Sequence, residues 1–318
     1  MLFLLFAIIF GSLFAVVFKL CQKWDIDTGQ VILFNYVTAM LLSAGSILVS
    51  VTGGARLADY SLAAPSVLLA VVQGAFFYLG FLVMNRSTWR SGVALTTAAA
   101  RASLVLPLIL SWLIFNQTAP SWLQVVLIIG AMLMMVLPAQ SLPHDASLQT
   151  NISDKTRRVK TMLALVAVFF TYGTSDFLLK VVQNSVESRA ATDELMQAGL
   201  SLQMTIIFVS AAVVSLIACI VTGSFKKDDA RHGSSLHQGF RWRNALGGLA
   251  LGLINTGCTS CMLQALGRIS TSTYYPLYNI GIVVVATLVG VIFFKEKLKP
   301  LQIAGLVIAA VAIGLSFR

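Results

Sequence analysis

One arginine lies deep inside an apolar stretch of the chain. The run from Ser91 to Phe115 contains a single charged side chain, Arg101, which stands about 14 Å along a helix from Gly92. That distance is close to half the hydrocarbon thickness of a bilayer, where a guanidinium costs about 3 kcal/mol on insertion scales. A charge at this depth normally faces a partner, a water-filled cavity or a ligand.

Two chemical roles are open for Arg101. Its planar fork binds a carboxylate or phosphate through two parallel hydrogen bonds, so it would hold the acidic group of a small solute. The alternative is a buried salt bridge, for which Asp176 is the obvious partner. Thr97, one helical turn earlier, shares the face of Arg101, and Pro107 further on would loosen the helix. We predict that Arg101 and Thr97 bind solute.

A second polar patch has the spacing of one helix face. Tyr275, Tyr278 and Asn279 stand at positions i, i+3 and i+4, beside Pro276. A helix broken at this depth exposes backbone groups that bind a solute. Rings that carry a hydroxyl suit an organic molecule with flat and polar parts. The alternative is that both tyrosines pack against neighbouring helices.

Asp176 is the only carboxylate well within an apolar run, and Lys180 follows it by four residues. The spacing favours an ion pair on one helix face. If Asp176 instead takes up and releases a proton, it would couple transport to protons or another cation. Further candidates for solute binding are amide and tyrosine side chains in other apolar runs, although interhelical hydrogen bonding is the commoner role of such residues: Asn35, Gln73, Tyr78 and Asn255.

Several chemistries have no support in the residues. Cys258 and Cys261 form a CxxC without further ligands nearby, so packing is favoured over a metal site. The three histidines fall in predicted loops, and there is no GxxxxGK[ST] nucleotide loop. We therefore expect no metal, no cofactor and no enzymatic activity. The net charge of +10 reflects basic loops beside membrane spans, not a nucleic-acid partner.

The elements that position these residues are membrane helices. Hydrophobic residues make up 58% of the 318 positions and charged residues 11%, against about a quarter charged in soluble domains. Apolar stretches of spanning length predict an all-α integral membrane protein with ten transmembrane helices, near residues 2–20, 29–51, 64–85, 92–115, 121–138, 161–182, 195–222, 244–266, 271–294 and 300–317.

The sequence contains an internal repeat. Residues 114–124 align without gaps to residues 292–302, and the same register pairs Gly74 with Gly252 and Arg101 with Asn279. Because five spans is an odd number, the second copy must enter the membrane from the opposite side, as in the inverted repeats of transporters. We predict a first repeat over 1–140, a basic connecting loop over 141–160 and a second repeat over 161–318. Small residues such as Gly248 and Gly252 should let helices approach closely.

The repeat endings carry a resemblance to a known family. The stretch from Gly290 to Gly305, with Glu296, Gln302 and the closing glycine, resembles the ten-span EamA-like branch of the drug/metabolite transporter (DMT) superfamily. The first half departs from the pattern, since Thr118 stands in the place of Glu296. The resemblance covers the whole chain. It implies a monomeric or homodimeric carrier of small metabolites with a central cavity, and it does not name the solute.

The basic residues predict an orientation. Of the 22 lysines and arginines, sixteen lie in the loops after the odd-numbered spans and five lie on the other side. Positive residues stay in the cytoplasm. We therefore predict a protein of a bacterial inner membrane with both termini outside, on the periplasmic side.

These observations together predict a secondary active transporter, working by alternating access, of a small anionic or zwitterionic metabolite. An amino acid or related compound, exported from the cell, is the leading solute. The alternative solutes are phosphorylated or nucleotide-linked metabolites and drugs. From other classes, the alternatives are a membrane-embedded enzyme and a lipid scramblase-like protein.

Overall fold

The computed structural model describes residues 1–23, 26–52, 64–115, 154–222 and 241–294, together with Val126, Pro300 and Ala304. The regular elements in these ranges are all α-helices, which confirms the all-α prediction. The predicted spans at 121–138 and 300–317 lie almost entirely outside the described residues. The helices are, in chain order, α1 (Leu2–Lys23), α2 (Thr28–Thr52), α3 (Ala64–Ala102), α4 (Val105–Phe115), α5 (Asp154–Glu187), α6 (Asp193–Thr222), α7 (Trp242–Leu266) and α8 (Thr271–Phe294).

Five of the described helical stretches are long and apolar enough to cross a membrane: Thr28–Thr52, Ala64–Met84, Val159–Glu187, Asp193–Thr222 and Trp242–Leu266. At 1.5 Å per residue each covers the roughly 30 Å of bilayer hydrocarbon. Their outer faces carry large apolar side chains that water would not favour, including Leu48, Val49 and Val221, which is 79% exposed. These are the helices of a membrane protein.

Helix α3 bends sharply where the sequence predicts a loop between two spans. The hydroxyls of Ser87 and Thr96 lie 3.0 Å apart, whereas nine residues of straight helix would separate them by about 14 Å. The chain therefore turns back between these two residues. The helical backbone nevertheless continues through the predicted loop at residues 86–91.

The described residues fall into two compact units, and α3 and α5 contribute to both. The first unit comprises Met1–Tyr78 and Leu178–Arg268. In it, α2 packs against α6 and α7, and α1 packs against α7.

The close approach of α7 to α2 in the first unit depends on two glycines. A Cβ at Gly252 would lie 2.7 Å from the carbonyl oxygen of Asn35 and 2.6 Å from Cβ of Thr38, and one at Gly248 would lie 2.8 Å from the carbonyl oxygen of Val31. These contacts confirm the role predicted for both glycines. Since the contacts advance together along both helices, α2 and α7 run parallel.

Gly74 of α3 meets α6 in the same manner. A Cβ there would collide with the carbonyl oxygen of Ile207 and would lie 2.7 Å from Cβ of Ser210. Gly74 and Gly252 thus each rest on a carbonyl oxygen and on a Cβ three residues further along the partner helix. In the chain, Asn35 lies 172 positions before Ile207, and Thr38 lies 172 positions before Ser210.

The second unit comprises Leu79–Phe177 and Ile269–Arg318, of which the structure describes 79–115, 154–177, 269–294 and two isolated positions. In this unit α4 packs against α8. Between α3 and α4 the helix is interrupted at Ser103 and Leu104. Pro107 accounts for the interruption, because its ring excludes the carbonyl of Ser103 from an ordinary helical position. That carbonyl instead accepts a hydrogen bond from the Leu106 amide at 3.0 Å. Arg101 consequently lies in the last turn of α3.

Candidate functional site

Arg101 and Asn279 meet in the second unit. Nη1 of Arg101 donates a hydrogen bond to Oδ1 of Asn279 at 3.3 Å. Asn279 is 2% exposed, and its Nδ2 donates to the carbonyl oxygen of Tyr275 at 3.0 Å, one turn back on α8. Because the amide nitrogen is held in this way, the amide oxygen is fixed toward the guanidinium. The structure therefore joins two of the predicted solute-binding residues.

The guanidinium of Arg101 keeps donors that the described residues do not use. Its Nε is buried and has no hydrogen-bond partner in that part of the chain. An unpaired buried donor costs about 1–3 kcal/mol, and more when the group is charged. Asp176 interacts with Arg101 electrostatically, but no ion pair joins the two side chains within the described ranges. Arg101 is thus a half-buried cation with capacity for a further acceptor.

Three tyrosines of α8 form a packed aromatic cluster beside Asn279. The rings of Tyr274 and Tyr278 are stacked, with centroids 5.6 Å apart and planes at 11°, and Tyr275 meets Tyr274 edge-on at 5.2 Å. The hydroxyl of Tyr275 donates to the backbone carbonyl oxygen of Asp176 on α5. Tyr275 therefore contacts a neighbouring helix, whereas the stacking of Tyr278 on Tyr274 lies within α8 itself. Sequence reasoning missed Tyr274, although its spacing of four from Tyr278 was a usable signal.

Two of the predicted polar residues in the first unit, Asn35 and Asn255, join neighbouring helices. Nδ2 of Asn255 on α7 donates to Oδ1 of Asn35 on α2 at 3.2 Å, and Thr259 lies within 3.5 Å of the Asn255 amide oxygen. Gln73 is fully buried and Tyr78 half-buried, both on α3. The side chain of Thr97 lies outside the described residues. These bonds match the interhelical role that competes with solute binding.

Lys180 has partners that sequence reasoning did not foresee. It is 4% exposed, and its Nζ donates to Oε1 of Gln183 at 2.6 Å and to the carbonyl oxygen of Leu266 at 2.9 Å. Gln183 in turn donates from Nε2 to Oε2 of Glu187 at 2.6 Å. The ammonium therefore satisfies a carbonyl at the C-terminal end of α7, where helix dipoles favour a cation. Spacing along one helix gave no sign of this contact with another.

A cavity of about 590 Å³ lies in the first unit, between α2, α6 and α7. The described residues of its lining carry no charge, so it suits neutral groups or hydrocarbon. One lining residue, Gln264, donates to Oε1 of Gln197, while its own buried Oε1 has no partner among the described residues. The cavity is lined by Leu41, Leu42, Gly45, Ser46, Val49, Ser50, Gln197, Leu200, Ser201, Met204, Ser260, Leu263 and Gln264.

The described ranges contain no set of side chains suited to bind a metal ion. There is no group of three or more histidine, cysteine, aspartate or glutamate side chains there that would hold a metal ion. Cys258 and Cys261 are free thiols, and Cys258 is buried.

Comparison with known proteins identifies relatives but no family. No family description matches the chain. A protein of Haemophilus influenzae, described as uncharacterized, is 26% identical over 312 residues, covering 98% of this chain and 95% of that protein. A solved structure, described only as the crystal structure of a protein, covers 100% of this chain and 98% of its own with a TM-score of 0.67. At 13% sequence identity that likeness extends to the fold alone.

Proposed function

We propose that the chain is a secondary transporter that moves a small anionic or zwitterionic metabolite by alternating access. The observation that carries this proposal is the incomplete hydrogen bonding of Arg101. It has one hydrogen bond to Asn279, a buried Nε without a partner in the described ranges, and no ion pair there. A buried arginine with a purely structural role normally pairs with a carboxylate. The free donors of Arg101 fit the carboxylate of a solute.

The proposed architecture is the ten-span, two-repeat fold of EamA-like transporters in the DMT superfamily. The matched packing of Gly74 and Gly252 supports it, because the two glycines are equivalent in the sequence repeat and meet their partner helices alike. The bend between Ser87 and Thr96 also supports it, since the chain reverses between predicted spans 3 and 4. In inverted repeats the solute site lies near the midplane, where the two halves meet.

The proposed solute is an amino acid or related compound, and the proposed direction is export. One cation suits a carboxylate, whereas a phosphorylated solute would need more positive charge near the midplane than Arg101 supplies. Asn279 would orient Arg101, and the tyrosines of α8 would form the wall beside it. We place the protein in a bacterial inner membrane with both termini in the periplasm, on the asymmetry of its basic residues. A C-terminal reporter that is active only in the cytoplasm should stay silent; strong signal would reverse the orientation.

The decisive test is uptake into proteoliposomes of a panel of amino acids, nucleobases and sugar phosphates. Wild type should show saturable uptake of an acid-bearing solute. Arg101→Ala should abolish it, and Arg101→Lys should recover only part, because an ammonium lacks the bidentate fork. Arg268→Ala is the matched control, since Arg268 is exposed at the end of α7 and lies over the ring of Phe3.

Two results would overturn the assignment. Undiminished uptake by a folded Arg101→Ala variant would make Arg101 structural. If no solute of the panel is taken up saturably while lipids cross the bilayer in the same vesicles, the scramblase alternative replaces the transporter.

A further inference from the structure

A small hollow in the second unit combines two cations with an apolar floor. It has a volume of about 250 Å³ and lies between α3 and α5. Arg86 and Lys160 supply the charge, and none of the described residues that line the hollow is acidic. The apolar part consists of Val83, Leu163, Ala164 and Ala167.

The hollow lies where apolar helix gives way to polar sequence. Arg86 follows the apolar stretch Ala64–Met84 by two residues, and Lys160 is the second residue of the stretch Val159–Glu187. In a bilayer these positions fall at the boundary between hydrocarbon and headgroups. Leu163, one turn further into α5, is 62% exposed, so the apolar floor faces the medium around the helices. Both cations belong to the sixteen basic residues that the sequence assigns to the cytoplasmic side.

We propose that this hollow binds one anionic phospholipid. The guanidinium of Arg86 and the ammonium of Lys160 would share the lipid phosphate, as basic pockets between transmembrane helices do. The acyl chain would lie against Leu163, Ala164 and Ala167, toward the hydrocarbon. A free phosphate ion would use the cations and leave the apolar floor bare, and a zwitterionic lipid would bring its own cation close to two others. Charge and apolar surface together therefore select an anionic amphiphile. The proposal does not depend on the transport function.

The test is native mass spectrometry of the full chain in a mild detergent, titrated with phosphatidylglycerol or with phosphatidylcholine of the same acyl chains. Wild type should retain one phosphatidylglycerol in preference to phosphatidylcholine. Arg86→Gln/Lys160→Gln should lower the apparent affinity for phosphatidylglycerol roughly tenfold or more and remove the preference. The charge-matched control is Arg241→Gln/Arg243→Gln, which removes two exposed cations at the start of α7 and should change nothing.

A second variant tests the apolar floor without changing charge. Ala164→Phe should fill the hollow and release the lipid while both cations remain. Millimolar inorganic phosphate should not displace phosphatidylglycerol; if it does, the site is an ion site and the lipid proposal fails. The proposal also fails if the Arg86/Lys160 variant keeps its preference, or if the control loses it equally. Unchanged thermal unfolding temperatures of the exposed-residue variants would establish that each has folded.

Discussion

Nη1 of Arg101 lies 3.3 Å from Oδ1 of Asn279, and the two residues stand 178 positions apart in the chain. The same interval separates Gly74 from Gly252, whose packing is alike. In a repeat related by a two-fold axis, equivalent residues touch only close to that axis. In the proposed repeat, one copy would supply a cation, and the other would supply the neutral acceptor that orients it. The proposed site would then carry its charge on one repeat only.

Asn279→Asp should disable solute binding without unfolding the protein. The new carboxylate would stand where the amide oxygen now accepts from Arg101, and it would neutralise the guanidinium that the proposed solute needs. We expect KM for the transported acid to rise at least about thirtyfold, which corresponds to about 2 kcal/mol. Proteoliposome uptake over a range of solute concentrations measures this change.

The exchange Arg101→Asn/Asn279→Arg is the companion to that experiment. It moves the cation to the equivalent position of the other repeat and preserves the hydrogen-bonding pair. Recovery of saturable uptake above the level of Arg101→Asn alone would support a site on the symmetry axis. If the exchanged protein folds but remains as inactive as the single variant, the two positions are not equivalent.

Gly252→Ala and Gly74→Ala should destabilise the first unit to a similar extent. Each added methyl would lie against a carbonyl oxygen and a Cβ of the facing helix, at 2.6–2.7 Å for Gly252. The cost of such overpacking is about 1–3 kcal/mol. Gly45→Ala is the control, because a methyl there meets nothing within 4 Å and only gains helix propensity. In thermal unfolding in detergent, Gly252→Ala and Gly74→Ala should lower the unfolding temperature and Gly45→Ala should not. An unchanged unfolding temperature for Gly252→Ala would show that α2 and α7 do not pack closely.

Lys180→Met should lower the stability of the fold, although methionine has nearly the length of lysine. The substitution leaves the carbonyl of Leu266 and the Oε1 of Gln183 without the donor that both now share. An unsatisfied buried acceptor costs about 1–3 kcal/mol. The unfolding temperature should fall, while the same change at the exposed Arg241 should have little effect. Gly267→Ala offers an independent check, since its methyl would lie 2.8 Å from Nε2 of Gln183 and displace that bridge.

The sequence predicts the helices well and their cross-helix partners poorly, for a physical reason. Apolar length alone identifies the stretch Thr28–Thr52, and Pro107 forecasts the interruption after Arg101. The expected ion pair of Asp176 with Lys180 follows from spacing within one helix. The structure gives Lys180 a carbonyl 86 residues away instead, because a desolvated ammonium takes the strongest acceptors that packing brings to it. No local sequence pattern encodes the contact of Lys180 with Leu266. The alignment of the two repeats, in contrast, already pairs Arg101 with Asn279.

Asp176→Asn should separate proton coupling from solute binding. The substitution keeps the backbone carbonyl that accepts from Tyr275 and removes the negative charge that interacts with Arg101. If Asp176 carries the coupling proton, uptake driven by a pH gradient should fall to the level without a gradient. Exchange of labelled for unlabelled solute at equal pH should continue, because it needs no net proton movement. Asp193→Asn, at the exposed start of α6, is the control and should behave as wild type. Persistence of gradient-driven uptake in the Asp176 variant would assign the carboxylate to charge balance and the coupling to another group.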